Sequence, residues 1–164
     1  MSSGWARAGA LAAVLAGAAL PAAAPLAAQR RTAPDYELGA GAVGTLTDEV
    51  IVLAAGVQGG WRPSARMRVT AFAGPGLGSD LETDALVGRG ELAVHFLASP
   101  YSRGIGFYGG GGVAGVVGGG VDQGYVLLTL GVEHRPGGRG GWWIEAGIGG
   151  GPRLAAGWRW RRWH

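Results

Sequence analysis

From residue 36 onward, glycine and proline punctuate the chain every ten to fifteen residues, and apolar positions recur between them at period two rather than 3.6. In "YVLLTLGVEH", Val126, Leu128, Leu130 and Val132 share one face, while Tyr125, Thr129, Gly131 and Glu133 share the other. "RGELAVHF" sets Leu92, Val94 and Phe96 against Arg89, Glu91 and His95. The same alternation opposes Met67, Val69 and Ala71 to Arg66, Arg68 and Thr70, and Ile144, Ala146 and Ile148 to Glu145, Gly147 and Gly149. This pattern predicts strands with one greasy and one polar face, over residues 36–46, 50–62, 66–75, 86–98, 104–116, 123–134, 141–150 and 152–163.

Eight segments joined by short connections predict an all-β antiparallel up-and-down meander. Most segments reach the ~9–11 residues that a tilted strand needs to cross a bilayer core, whereas globular strands average ~5–6. The expected fold is therefore an eight-stranded transmembrane β-barrel. The uncharged run 104–121 does not change this: about half of it is glycine, which costs roughly 1 kcal/mol per residue in a helix. Glycines on its inward parity would leave room for large charged side chains from neighbouring strands.

The connections alternate in chemistry. "RPSAR", "SPYSR" and "RPGGRG" are tight and Arg-containing; "TLTDE", "GPGLGSDLETD", "GGGVDQG" and "GGGP" are acidic or glycine-rich. In an eight-stranded meander these two sets must emerge at opposite ends. Trp61, Tyr101, Trp142, Trp143, Trp158, Trp160 and Trp163 gather near the Arg-turn end, where rings would form an interfacial girdle.

Residues 1–28 read as a signal peptide: Arg7 precedes an Ala/Leu-rich stretch, and Leu26-Ala27-Ala28 supplies small residues before Gln29. Pro21 and Pro25 interrupt the run and favour cleavage over anchoring. Residues 29–164 then form the barrel domain. The chain has 164 residues, 35 glycines, 48% hydrophobic and 15% charged residues, no cysteine and a formal charge of only +3. Disulfide frameworks and thiolate metal sites are excluded. The closing "WRWRRWH" invites a nucleic-acid reading, but Arg153, Arg159 and Arg161 share the inward parity of the last strand, and Leu154, Ala156, Trp158 and Trp160 the outward one. A strand with a charged lumen face and an aromatic membrane face accounts for it, and no nucleic-acid partner is expected.

In this pattern of leader, eight alternating segments, tight turns and an aromatic-rich last strand, the sequence resembles the small eight-stranded outer-membrane barrels of Gram-negative bacteria, the OmpA transmembrane domain and OmpX type. The resemblance spans essentially residues 29–164 and is architectural. It implies outer-membrane localisation after export, lipid and lipopolysaccharide as surroundings and the barrel-assembly machinery as a partner during insertion; the oligomeric state stays open, with a monomer favoured. Members usually end in an aromatic residue with aromatics or aliphatics two and four positions earlier; here Arg162 and His164 follow Trp158 and Trp160, and Trp163 lies on the opposite parity. The long surface loops of the family are also missing.

Candidate inward charges are Glu37, Arg66, Arg68, Arg89, Glu91, His95, Glu133, Glu145, Arg153, Arg159 and Arg161. An eight-stranded barrel is just wide enough to be filled by side chains, so these predict a lumenal ion-pair network with a structural, envelope-associated role. Some barrels of this size act on lipid A through a Ser and His near the outer leaflet. Ser64, Ser99 and Ser102 fall in the Arg-containing turns, Ser79 in an outer loop, and His95 and His134 towards the Arg-turn ends of their strands, so no such pair is assembled. Asp80, Glu82 and Asp84 lack EF-hand spacing. No catalytic, cofactor-binding or metal residue is expected. The alternative is a soluble secreted or periplasmic barrel that holds a small apolar ligand.

Overall fold

The computed structural model describes residues 36–46, 50–79, 84–120 and 122–162. The proposed leader, Trp163 and His164, and Asp80 and Glu82 of the acidic connection lie outside the described residues. Eight strands run in order: β1 (Tyr36–Leu46), β2 (Ile51–Ser64), β3 (Met67–Ser79), β4 (Asp84–Leu97), β5 (Ile105–Val117), β6 (Gln123–His134), β7 (Gly140–Ile148) and β8 (Pro152–Arg162). Each pairs antiparallel with its neighbour, and β1 pairs with β8 to close an up-and-down barrel with no free sheet edge.

Most boundaries move by one or two residues, and two of the changes alter the wall and the lumen. β3 does not stop at Pro75 but continues to Ser79, so "GPGLGS" is strand rather than loop. Proline has no N–H to donate, and the β2–β3 ladder skips that rung, pairing Ala54 with Gly76 and Val57 with Ala73, while Pro75 stays opposite Gly88 of β4. Gly56 and Gly74 make the close approach possible. A Cβ on Gly56 would lie 2.2 Å from the Ala73 carbonyl oxygen, and one on Gly74 2.1 Å from that of Ala55. The second departure is in β2, which runs through Arg62 to Ser64 by means of a register shift between Trp61 and Ser64.

The two faces separate as the alternation requires. Between the strand ends, outward positions are apolar, alanine, glycine or proline, and 24 of the described large apolar or aromatic side chains are exposed. On β6, for example, Leu130 is 74% exposed while Leu127 is 1% exposed. The outward rings of Tyr36, Trp61, Phe96, Trp158 and Trp160 lie towards the end that carries the β2–β3, β4–β5 and β6–β7 turns. Trp143 is not among them: it shares the parity of Glu145 and is buried in the lumen.

The Arg-containing connections emerge together with the β8 terminus, and Asp84 and Asp122 lie at the opposite end. There, Val52, Val87 and Val116 pack with Val50 and Tyr125 into an apolar stopper. At the Arg end, Pro136 of the β6–β7 turn is fully buried, and a Cβ on Gly106 would meet its ring at 2.6 Å. The interior between these two ends holds the charged side chains.

Candidate functional site

Ten of the eleven expected inward charges point into the barrel. The exception is Arg66, which sits exposed in the β2–β3 turn. Its place is taken by Arg62, 4% exposed, which lies on the inward parity of Val52, Ala54 and Gln58 because β2 continues past Trp61.

The charges form two clusters. The first surrounds Glu37 of β1 and Glu133 of β6. Glu133 Oε2 accepts hydrogen bonds from Arg68 Nη1 at 2.9 Å, Arg159 Nη1 at 2.9 Å and Arg161 Nη2 at 2.8 Å. Arg62 Nε lies 2.6 Å from Glu37 Oε1, with Arg68, Arg159 and Arg161 at 3.5–3.6 Å from the same carboxylate. Arg159 Nη2 also donates to Gln58 Oε1 at 3.2 Å, and Arg161 Nη1 to the Arg135 carbonyl at 3.1 Å. Four guanidiniums therefore share two carboxylates. Arg68, Arg159 and Arg161 are hydrogen-bonded as well as paired, which offsets part of the cost of burying their charge, while Arg62 is held by its ion pair with Glu37.

Aromatic rings flank two of these cations. The Arg68 guanidinium lies 4.6 Å from the Tyr108 ring centroid, and Arg159 lies 5.0 Å from that of Trp143. Glycines make the space: a Cβ on Gly131, directly across the ladder from Tyr108, would fall 2.3 Å from the phenol ring. A Cβ on Gly41 or Gly157 would fall 2.9 Å from the Trp143 indole. These glycines lie outside the run 104–121 and make room for rings rather than charges; within that run, a Cβ on Gly106 would meet Pro136 and one on Gly112 the Leu92 backbone, and only Gly110 borders a titratable side chain, His95.

The second cluster is balanced. Arg153 grips Glu91 bidentately, Nε to Oε1 at 3.1 Å and Nη2 to Oε2 at 2.7 Å, and donates from Nη1 to Glu145 Oε1 at 2.6 Å. Arg89 Nε adds a 2.8 Å bond to Glu91. His95 Nε2 lies 3.3 Å from Glu145 Oε2 and 3.3 Å from Thr129 Oγ1. Val43, Phe72, Trp143 and Ala155 form an apolar cluster within the same interior.

The His95–Glu145–Thr129 grouping contains the residue types of a nucleophile relay but not its geometry. A relay needs the acid on one ring nitrogen and the hydroxyl on the other; here both partners meet Nε2, inside a lumen where His95 is 2% exposed. Ser102 is engaged in its own turn, its Oγ donating to the Ile105 carbonyl and accepting from Gly104 N–H, each at 3.1 Å. His134 stacks on Trp142 with centroids 5.8 Å apart. Among the described residues no group of three or more His, Asp or Glu side chains could hold a metal ion.

No protein-family model matches this chain, and no curated protein matches it in sequence. Among solved structures it is similar to the solution NMR structure of the de novo designed TMB2.3, at a TM-score of 0.48 and 16% identity over 79% of this chain and 95% of that one. It is also similar to the crystal structure of the outer membrane protein OprG from Pseudomonas aeruginosa, at a TM-score of 0.49 and 12% identity over 81% and 95% of the two chains. These likenesses do not single out the OmpA or OmpX type.

Three residues that shape the lumen were not anticipated. Arg62 was hidden in a turn-like "RPSAR", although counting by two from Val52 leads to it. Trp143 was grouped with the girdle by its position, although its parity matches Glu145. Tyr108 lies in the glycine-rich run, where its even number shares the inward parity of Gly106 and Gly110.

Proposed function

We propose that this chain is an integral outer-membrane β-barrel with a structural, envelope-associated role, exported through a cleaved leader and inserted by the barrel-assembly machinery. The carrying observation is the inversion of polarity. A charged, hydrogen-bonded interior is enclosed by a wall whose outward positions between the strand ends carry no ionisable side chain. In water such a continuous apolar surface far exceeds what soluble monomers expose; in a bilayer it is the lipid contact, and the closed hydrogen-bond ladder leaves no unpaired edge. Strands of 9–14 residues are long enough to cross.

The alternative, a soluble barrel around an apolar ligand, calls for an apolar cavity. Paired arginines and glutamates fill the interior instead, which favours the membrane reading and a structural rather than catalytic or transport role. Lipid and lipopolysaccharide are the surroundings this surface suits, with neither nucleic acid nor cofactor required. Fractionation tests the reading: the protein should sediment with outer membranes, resist extraction by carbonate and be released by detergent. Recovery in the soluble periplasmic fraction would refute it.

A further inference from the structure

The barrel carries five exposed arginines at one end. Arg66 is in the β2–β3 turn, Arg103 in the β4–β5 connection, Arg135 and Arg139 in the β6–β7 connection, and Arg162 closes β8. They have no described acidic counterpart on that rim: Glu37, Glu91, Glu133 and Glu145 are turned into the lumen, while Asp84 and Asp122 lie at the far end. Among the described residues, none of the five enters a salt bridge.

The rim is also held in place. Arg135 N–H donates to the Gly104 carbonyl at 2.7 Å, Gly137 N–H to Ser102 at 3.3 Å, and Arg161 N–H to Arg139 at 2.8 Å. These bonds tie the two connections and β8 into one platform that presents Arg103, Arg135, Arg139 and Arg162. Arg135 itself adopts a left-handed backbone, φ 49°, at the corner of its turn. On the wall beside this platform stand Trp61, Trp158 and Trp160. At the β1–β8 seam an open groove of about 560 Å³ is lined by Tyr36, Leu38 and Trp160 with Arg161 and Arg162.

The geometry points to this rim as a docking ring for the headgroups of anionic phospholipids in the leaflet that meets the Arg-turn end. The inference rests on the membrane reading above. A guanidinium presents a planar fork of donors that matches two phosphate oxygens. The indoles sit at the depth where a lipid passes from headgroup to chain, and the groove offers an apolar floor for an acyl chain under a cationic lip. The start of β1 and the end of β8 lie together at this end, Tyr36 opposite Arg162; in a barrel inserted from the periplasmic side, as proposed above, that end stays periplasmic and meets the phospholipid leaflet, so the ring takes a phospholipid rather than the phosphates of lipopolysaccharide.

The tryptophans at the collar report on the lipids beside them. The barrel purified from cells would be reconstituted into phosphatidylcholine vesicles containing brominated phosphatidylglycerol or brominated phosphatidylcholine, and the relative association constants read from tryptophan quenching. An anionic surface adds about 1 kcal/mol per nearby arginine, roughly fivefold in affinity, so phosphatidylglycerol should be favoured at least fivefold at low salt. The preference should collapse in ~0.5 M salt, where the screening length is only a few ångströms. The variant with Arg66, Arg103, Arg135, Arg139 and Arg162 all changed to Gln should show a ratio near one, and the milder Arg66→Gln/Arg103→Gln pair an intermediate one. A ratio of one for the native barrel, or an undiminished ratio in both variants, overturns the ring. Displacement of brominated phosphatidylglycerol by added lipopolysaccharide overturns the choice of phospholipid. Failure to enter even neutral vesicles, read as no change in gel mobility on boiling, overturns the membrane reading itself, whereas insertion without preference overturns the ring alone.

Discussion

Replacing Glu133 by Gln removes the carboxylate on which three arginines converge while leaving the side-chain volume almost unchanged. Its Oε2 accepts bonds of 2.8–2.9 Å from Arg68, Arg159 and Arg161, and its Oε1 lies 3.8 Å from Arg62. The amide can still accept through its oxygen, but a hydrogen bond to a charged acceptor contributes ~1.5–3 kcal/mol against ~0.5–1.5 kcal/mol for a neutral one. Three such bonds weaken by about 1 kcal/mol each. Removing one partner of a buried pair costs ~3–5 kcal/mol in general, so a loss of ~3–5 kcal/mol is expected from Glu133→Gln. Urea titration of the barrel folding into neutral lipid vesicles, followed by tryptophan fluorescence, measures it at constant m. Because Glu133 and Arg68 belong to one network, the Glu133→Gln/Arg68→Gln double variant should lose clearly less than the sum of the single losses. A loss under ~1 kcal/mol, or strict additivity, would refute the view that the lumen is a mutually dependent ion-paired cluster.

Leu128→Arg, on the outward face of β6, should cost ~2–4 kcal/mol in the same titration by placing a charge in lipid; a neutral effect would mean that this face does not meet the bilayer. Gly131→Ala drives a Cβ into the Tyr108 ring and should cost ~1–3 kcal/mol. Gly59→Ala, with nothing within 4 Å of the new methyl, should stay within ~0.5 kcal/mol, and equal effects at the two sites would contradict the packing described. For sidedness, Asp84→Cys should react with a membrane-impermeant maleimide on intact cells, and Arg139→Cys only after the outer membrane is permeabilised; the chain has no native cysteine to interfere. The reverse pattern would invert the proposed orientation.

Strand count, order and the facing of most side chains were legible because the barrel enforces a single rule at every step. On β6 the polar Thr129 and Glu133 and the apolar Val126, Leu128 and Leu130 occupy opposite parities, and one slipped residue would put Glu133 into the wall. Legibility failed where backbone chemistry overrides composition. Gly-Pro-Gly at 74–76 reads as a turn, yet the strand passes through it because glycines accept the close approach of β2 and the β2–β3 ladder omits the proline rung. Arg62 stays on the inward parity of Val52, Ala54 and Gln58, but its place inside "RPSAR" makes it read as turn, whereas Arg66, the basic residue nearer β3, is the one left exposed in the turn. Partner choice was equally hidden: Glu133 meets Arg68 and Arg159 through the stagger of strands far apart in sequence, and period-two alternation carries no information about stagger.

The central claim is that this closed barrel buries its charges and presents its apolar wall to lipid. Gel mobility in SDS with and without boiling tests it most directly, on protein taken from the membrane fraction. A barrel whose ladder closes on itself and whose lumen is ion-paired should survive SDS at room temperature and migrate at a different apparent mass from the boiled chain. Identical migration before and after boiling, from protein that fractionates with membranes, would contradict the account.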